Sequence, residues 1–252
     1  MKRFAACLIA TAFCAGAAHA DMDFHGGDCG LHSDYSLDVN ADNLTFTRRD
    51  AHPGEVVIAH GTLRIDGREL AVNAADRQRL LDIEHGVRDT LPDVKAIAHD
   101  AIAIAFDAVG EVSAAFARDT DAARASAQRL ARAARELDQR IGESTSFNDW
   151  KDGDFERLME NAVGTLVGEV VANVAGQAVA VALSGDQRAV AELEARADGI
   201  DKKVNAIVEK RAKNLELRAE GLCPRMHRLA RLEQGLDVRL EDGGKLGLVS
   251  VK

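Results

Sequence analysis

The chain has 252 residues, with 32 Lys and Arg against 41 Asp and Glu, a net charge of −9, and only one Trp and one Tyr. An acidic surface repels phosphate backbones, and a chain this poor in aromatic rings lacks the stacking platforms of single-strand binders, so nucleic acid is excluded as a partner. Abundant Ala, Leu and Val with few aromatics favour helices.

Met1-Lys2-Arg3 is followed by an apolar run from Phe4 to about Ala18, and Ala18-His19-Ala20 forms a small-x-small site before Asp21. This is the pattern of a cleavable signal peptide, 1–20, with cleavage expected between Ala20 and Asp21. Losing Lys2 and Arg3 leaves 30 basic residues against 41 acidic, a net charge of −11. Cys7 and Cys14 leave with the signal. Cys29 and Cys223 remain, and in an oxidising compartment the simplest reading is one disulfide closing nearly the whole chain; two free thiols or a redox pair is the rival reading.

Residues 21–34, with His25, Gly26, Gly27 and Gly30, lack periodicity and read as a mobile leader tied down at Cys29. A small antiparallel sheet of three to five strands is expected over 35–72, from short segments parted by turn residues. Its clearest signal is Thr62 to Ile65, then Asp66-Gly67, then Arg68 to Val72, two alternating strands around a type I′ turn.

At Asn73 the apolar period changes from two to about 3.6, opening a helical region, 73–242, expected to form one domain with the sheet. Asn73 is placed to cap the first helix, with Asp76 in its first turn, and Pro92 is expected to stop it. A second helix is expected from Asp93, with a break at Asp119-Thr120-Asp121, and a third carries Leu130, Ala134, Leu137 and Ile141 as a seam. Gly142 to Gly153 reads as a polar connection. An apolar helix follows from about Phe155 to Ser184, and Gly185 and Asp186 stop it and start another reaching about Ala219. Cys223-Pro224 opens a last basic helix, and 243–252 reads as a flexible tail. The fold class is therefore α+β, predominantly helical: a small N-terminal antiparallel sheet followed by long helices in hairpins or a bundle.

In the apolar helix Gly164, Gly168, Ala172, Gly176 and Ala180 recur every four residues, a ridge of small side chains that lets another backbone approach. A polar ridge, Thr165, Glu169, Asn173 and Gln177, runs beside it. The two readings are close packing or self-association on the one hand and membrane contact on the other, and a spanning helix would bury that polar ridge in hydrocarbon.

Asn148 to Met159 imitates a calcium loop, but aligning Gly153 to the invariant sixth position places Met159 where a carboxylate ligand is required. His25, Cys29 and His32 have ligand-like spacing, yet Cys29 has a disulfide partner to hand. No metal or other cofactor is therefore expected. No G-x-S-x-G, H-E-x-x-H or P-loop signature occurs, and His85, His99 and His227 are scattered. Arg77 and Arg88 are the remaining candidates, as an anion site for a hydrolase or transferase with a pocket between sheet and helices.

The run from Leu63 to Arg77, LRIDGRELAVNAADR, with Val87 to Pro92, VRDTLP, resembles the YggN-like family of exported bacterial proteins. The resemblance implies a periplasmic setting, a cysteine at each end of the mature chain, here Cys29 and Cys223, a hairpin-to-helix junction and a long helical body. It implies no catalytic residue. The function expected on all these grounds is a non-enzymatic periplasmic module that binds another envelope protein or itself.

Overall fold

A computed structural model describes residues 29–49, 51–145 and 164–251. Strands β1 (Leu31–His32), β2 (Ser36–Val39), β3 (Leu44–Thr47), β4 (Glu55–Ala59), β5 (Thr62–Ile65) and β6 (Arg68–Leu70) precede the helices. These are α1 (Ala74–Ala115), α2 (Thr120–Glu143), α3 (Thr165–Ser184), α4 (Gln187–Glu220) and α5 (Cys223–Gln234), and β7 (Ser250–Val251) follows them.

Strands β2 to β6 form an antiparallel meander in sequence order. Alternation sets its register: Leu37 opposes Phe46, Val39 opposes Leu44, Phe46 opposes Val56 and Ile58 opposes Leu63, so one face of the sheet is continuously apolar. The expected Asp66-Gly67 turn is present, with φ of 45° and 81°. A second two-residue turn, His60-Gly61, joins β4 to β5, also with positive φ at both residues. Glycine is required at 61 for a second reason: a Cβ there would stand 2.9 Å from Arg77 Cγ.

Asn73 caps α1 as expected, its Oδ1 accepting the Asp76 N–H at 2.8 Å. Leu80 and Ile83 then press into the apolar face of the sheet, at 0% and 4% exposure. Burial of a side chain of this size is worth about 1.5–3 kcal/mol. The same core is closed from below by Leu236, Val238, Leu246 and Leu248 of the C-terminal segment.

Three expectations are corrected here. Pro92 does not end the first helix; α1 continues through it for 42 residues, about 63 Å at 1.5 Å per residue. A proline removes one backbone donor, at a cost of about 3 kcal/mol. The helix is held on both sides of that point, by Leu80 and Ile83 in the sheet core and by Phe106 in a second core with Leu130 and Leu137 of α2. The leader is ordered from Cys29 onward, because Leu31 and His32 pair with Val251 and Ser250. The tail is the other half of that pairing: Gly243 and Gly247, at φ 83° and 62°, turn the chain so that Leu246 and Leu248 return to the core.

Asp119 breaks the helix where expected and caps α2, accepting the Ala122 N–H at 2.7 Å. Helices α3 and α4 form the expected hairpin: Gly185 takes the left-handed conformation, φ 67°, and Asp186 Oδ1 accepts the N–H of Arg188 at 2.9 Å. The calcium-like loop and the start of the apolar helix before Gly164 lie outside the described residues.

Candidate interaction surface

Cys29 and Cys223 are joined as a disulfide with 5.4 Å between Cα atoms. It ties β1 to the first turn of α5, packed with Leu31, Met226 and Ala230. Buried carboxylates make the other long-range ties. Glu84 accepts the Gly61 N–H at 3.1 Å. Glu233, 6% exposed, accepts the Leu248 N–H at 3.2 Å. Burial raises the Glu233 pKa above its ordinary value, partly offset by the backbone donors of Leu248 and Gly247.

The helical arm is held by charge at heptad spacing. Asp93, Asp100 and Asp107 of α1 pair with Arg225, Arg218 and Arg211, running in opposite directions, and Lys203 continues the ladder to Glu111 at 2.5 Å. Each pair is half exposed, so its energy is small; the ladder specifies the antiparallel register of α4 and the start of α5 on α1. These residues did not emerge from the sequence as a set, although the seven-residue step of acids in one segment and arginines in another is a readable signal. On the other side, His99 meets Asp138, and Lys95 Nζ donates to the Gly142 carbonyl at 2.8 Å, setting α2 antiparallel to α1.

Helix α3 has the unusual surface. Glu169, Asn173 and Gln177 of its polar ridge are half-buried, while Thr165 is exposed. Glu169 pairs with Arg129 of α2, and Gln177 donates to the Phe116 carbonyl at 3.4 Å and accepts from Arg196 of α4 at 3.2 Å. Part of its apolar surface looks outward, with Val167, Val171, Val179 and Leu183 at 48%, 60%, 58% and 83% exposure, whereas Val170, Val174 and Val181 are half-buried. Gly164, Gly168, Ala172, Gly176 and Ala180 are exposed as well. A Cβ added at Gly164, Gly168 or Gly176 would meet no atom within 4 Å among the described residues. Because Gln177 stands level with the end of α1, the hairpin between Gln177 and Arg196 continues past that end by about eight residues of each helix, or roughly 12 Å. Among the described residues Val167–Ser184 is the one helical stretch long and apolar enough to cross a membrane.

Arg77 and Arg88 are not brought together. Arg77 lies against the His60-Gly61 turn, and Arg88 Nη1 donates to the Asn40 carbonyl at 2.5 Å, holding the β2–β3 turn to α1. Neither lines either of two cavities found among the described residues of the sheet region. One, about 340 Å³, lies between the β5–β6 hairpin and the C-terminal segment, with Arg68, Glu69, Arg239 and Glu241 on its walls. The other, about 90 Å³, is apolar and bounded by Leu31, Phe46, Val87, Met226 and Leu229. Among the described residues no group of three or more His, Cys, Asp or Glu side chains stands in position to hold a metal ion. His32 lies in β1 beside Asp34, 2.8 Å away, and His25 is outside the described residues.

Fold and surface together define an α+β protein with a disulfide-closed, sheet-bearing head and a helical arm whose apolar face is turned outward. The family model described as "Protein of unknown function (DUF2884)" matches residues 29–249, and the chain belongs to that family. No curated protein and no solved structure matches it.

Proposed function

We propose that the chain is a YggN-like protein of the periplasm, exported through its N-terminal segment, that works as a non-catalytic interaction module. The head, closed by Cys29–Cys223 as suits an oxidising compartment, is the anchor, and the α3–α4 arm presents the binding face to another envelope protein or to a second copy. The observation that carries this reading is the surface of α3: Glu169 and Gln177 are satisfied by Arg129, Arg196 and the Phe116 carbonyl, while Val167, Val171, Val179 and Leu183 stand in water. An apolar helix face of this length left in solvent marks a surface that another molecule covers.

A photo-crosslinking residue at Val179 tests it, with one at Gln139, on the exposed side of α2, as control. Adducts in cells from position 179 and none from 139 support the reading; equal labelling, or none, overturns it.

The length and apolarity of Val167–Ser184 also favour a second reading, contact with lipid. Spanning would break the Glu169–Arg129 pair or draw the charged α4 into hydrocarbon with its neighbour. Lipid contact therefore means lying in the interface, and liposome cosedimentation is its measure.

A further inference from the structure

The two edges of the five-stranded sheet end differently. Edge strand β2 is closed: the Val39 N–H donates to the Thr145 carbonyl at 2.7 Å, so the chain leaving α2 covers it. No strand lies beyond β6 among the described residues. Arg68 opposes Ile65 across the two-residue turn, and Leu70 opposes Leu63, as hydrogen-bonded pairs; such pairs alternate with open ones along an antiparallel ladder. The pair between them, Arg64 and Glu69, is therefore open, and the N–H and C=O of Glu69 point away from β5.

A short, charged edge strand is by itself a protected edge rather than a site. This one opens onto the cavity of about 340 Å³, whose other wall is residues 239–242. Small-ligand sites begin at about 300 Å³. Its floor is apolar: Ile65, Leu70 and Leu240 pack on the main core and are only partly covered. The charges around it are satisfied with one exception. Arg68 pairs with Glu241 at 2.5 Å, Asp66 accepts the Gly54 and Glu55 N–H groups at 2.9 Å and faces His52, and Asp242 accepts the Gly244 N–H at 2.8 Å. Strand alternation sets the Glu69 carboxylate on the face opposite Leu70. Arg239 makes one hydrogen bond, from Nη1 to the Val238 carbonyl at 3.0 Å, and has no carboxylate partner among the described residues.

An open strand edge, an apolar floor and a free guanidinium on one cavity suit the end of an extended peptide. The edge bonds its main chain, the floor receives its last side chain, and the arginine takes its carboxylate. We infer that the cavity between β6 and residues 239–242 binds the carboxyl terminus of an extended peptide with an apolar last residue, added to the sheet beside Glu69 with its carboxylate on Arg239. The three residues of β6 span about 10 Å, so the ladder covers only the last few residues of the peptide. This site belongs to the head and stands independently of the reading of the α3 arm.

The test is a titration of acetyl-Ala-Ala-Leu, with its free carboxylate, into the oxidised mature protein up to about 5 mM, followed by amide NMR, a range suited to so small a contact. Saturable shifts are expected at Glu69 and Leu240, and exchange of the Glu69 N–H with solvent should slow in the complex. The carboxamide form of the peptide should bind at least about tenfold more weakly, as should a peptide ending in Asp. Arg239 is exposed and bonds only to its neighbour's carbonyl, so Arg239→Gln should melt like the parent while binding the acid and amide forms alike.

Absence of saturable binding, equal binding of the two forms by the parent, or an acid preference that survives Arg239→Gln overturns the inference. Binding that leaves Glu69 exchange unchanged does so too, because the peptide then lies elsewhere than along the sheet edge.

Discussion

The carboxylate of Asp76, in the first turn of α1, accepts the backbone N–H of Asp237 at 3.1 and 3.2 Å, joining residues 161 positions apart. Asp76 is 1% exposed and also meets Arg79 at 2.8 Å and Asn73 Nδ2 at 3.2 Å. One buried carboxylate thus closes the helix cap and fastens the C-terminal segment beneath the sheet.

Asp76→Ala is expected to destabilise the protein by about 1–3 kcal/mol, because it orphans a part-buried backbone donor and a half-buried arginine together. Urea unfolding measures it. Asn73→Ala, which loses the cap alone, should cost only about 1 kcal/mol.

The Cys29–Cys223 bond spans 194 residues, and a loop of that length gives up to about 5 kcal/mol from restriction of the unfolded chain. Unfolding free energies from urea titrations with and without reductant should differ by about 2–5 kcal/mol. Reduction should also speed hydrogen exchange at Leu31 and Val251, whose pairing the bond anchors.

Glu233 gives a pH dependence of opposite sign to a surface carboxylate. Its folded pKa is raised, so below its ordinary 4.5 it is protonated in both states and costs nothing. As pH climbs from there through the raised folded value, the unfolded state ionises first and stability falls, then levels off. Glu233→Gln should flatten that decline, measured by urea unfolding from pH 4 to 8. Asp66 behaves the other way: hydrogen bonds from the Glu55 and Gly54 N–H groups hold its pKa below 3.8, so its contribution, present above that value, is lost as acid takes the pH below it.

The ladder between α1 and α4 can be reversed one rung at a time. Asp100→Arg should cost about 0.5–1 kcal/mol through like charge against Arg218, and Arg218→Asp in the same chain should restore most of it. A double-mutant cycle at low and high salt reads the coupling, which should shrink as salt rises.

Local signals were legible wherever a residue's own chemistry decides the backbone. Asp66-Gly67 turns because both positions need positive φ, and Asn73 and Asp119 cap because their side chains reach orphan N–H groups. Pro92 misled for the converse reason: its local penalty is real, but packing on both sides of it is worth more. The tail misled because Leu246 and Leu248 are only two apolar residues among glycines, and nothing nearby in sequence announces the sheet that receives them. The seven-residue steps of Asp93, Asp100 and Asp107 and of Arg211, Arg218 and Arg225 are legible in the sequence and match the antiparallel placement of the two segments.

The sequence by itself determined that α3 carries a ridge of small residues beside a ridge of polar ones, since residues four apart are neighbours on a helix of 3.6 residues per turn and line up in rows inclined to its axis. Which ridge faces the protein was decided by tertiary structure alone. Arg129, Arg196 and the Phe116 carbonyl come from three other segments, and only their convergence on Glu169 and Gln177 turns those side chains in and leaves Val167, Val171 and Val179 in water.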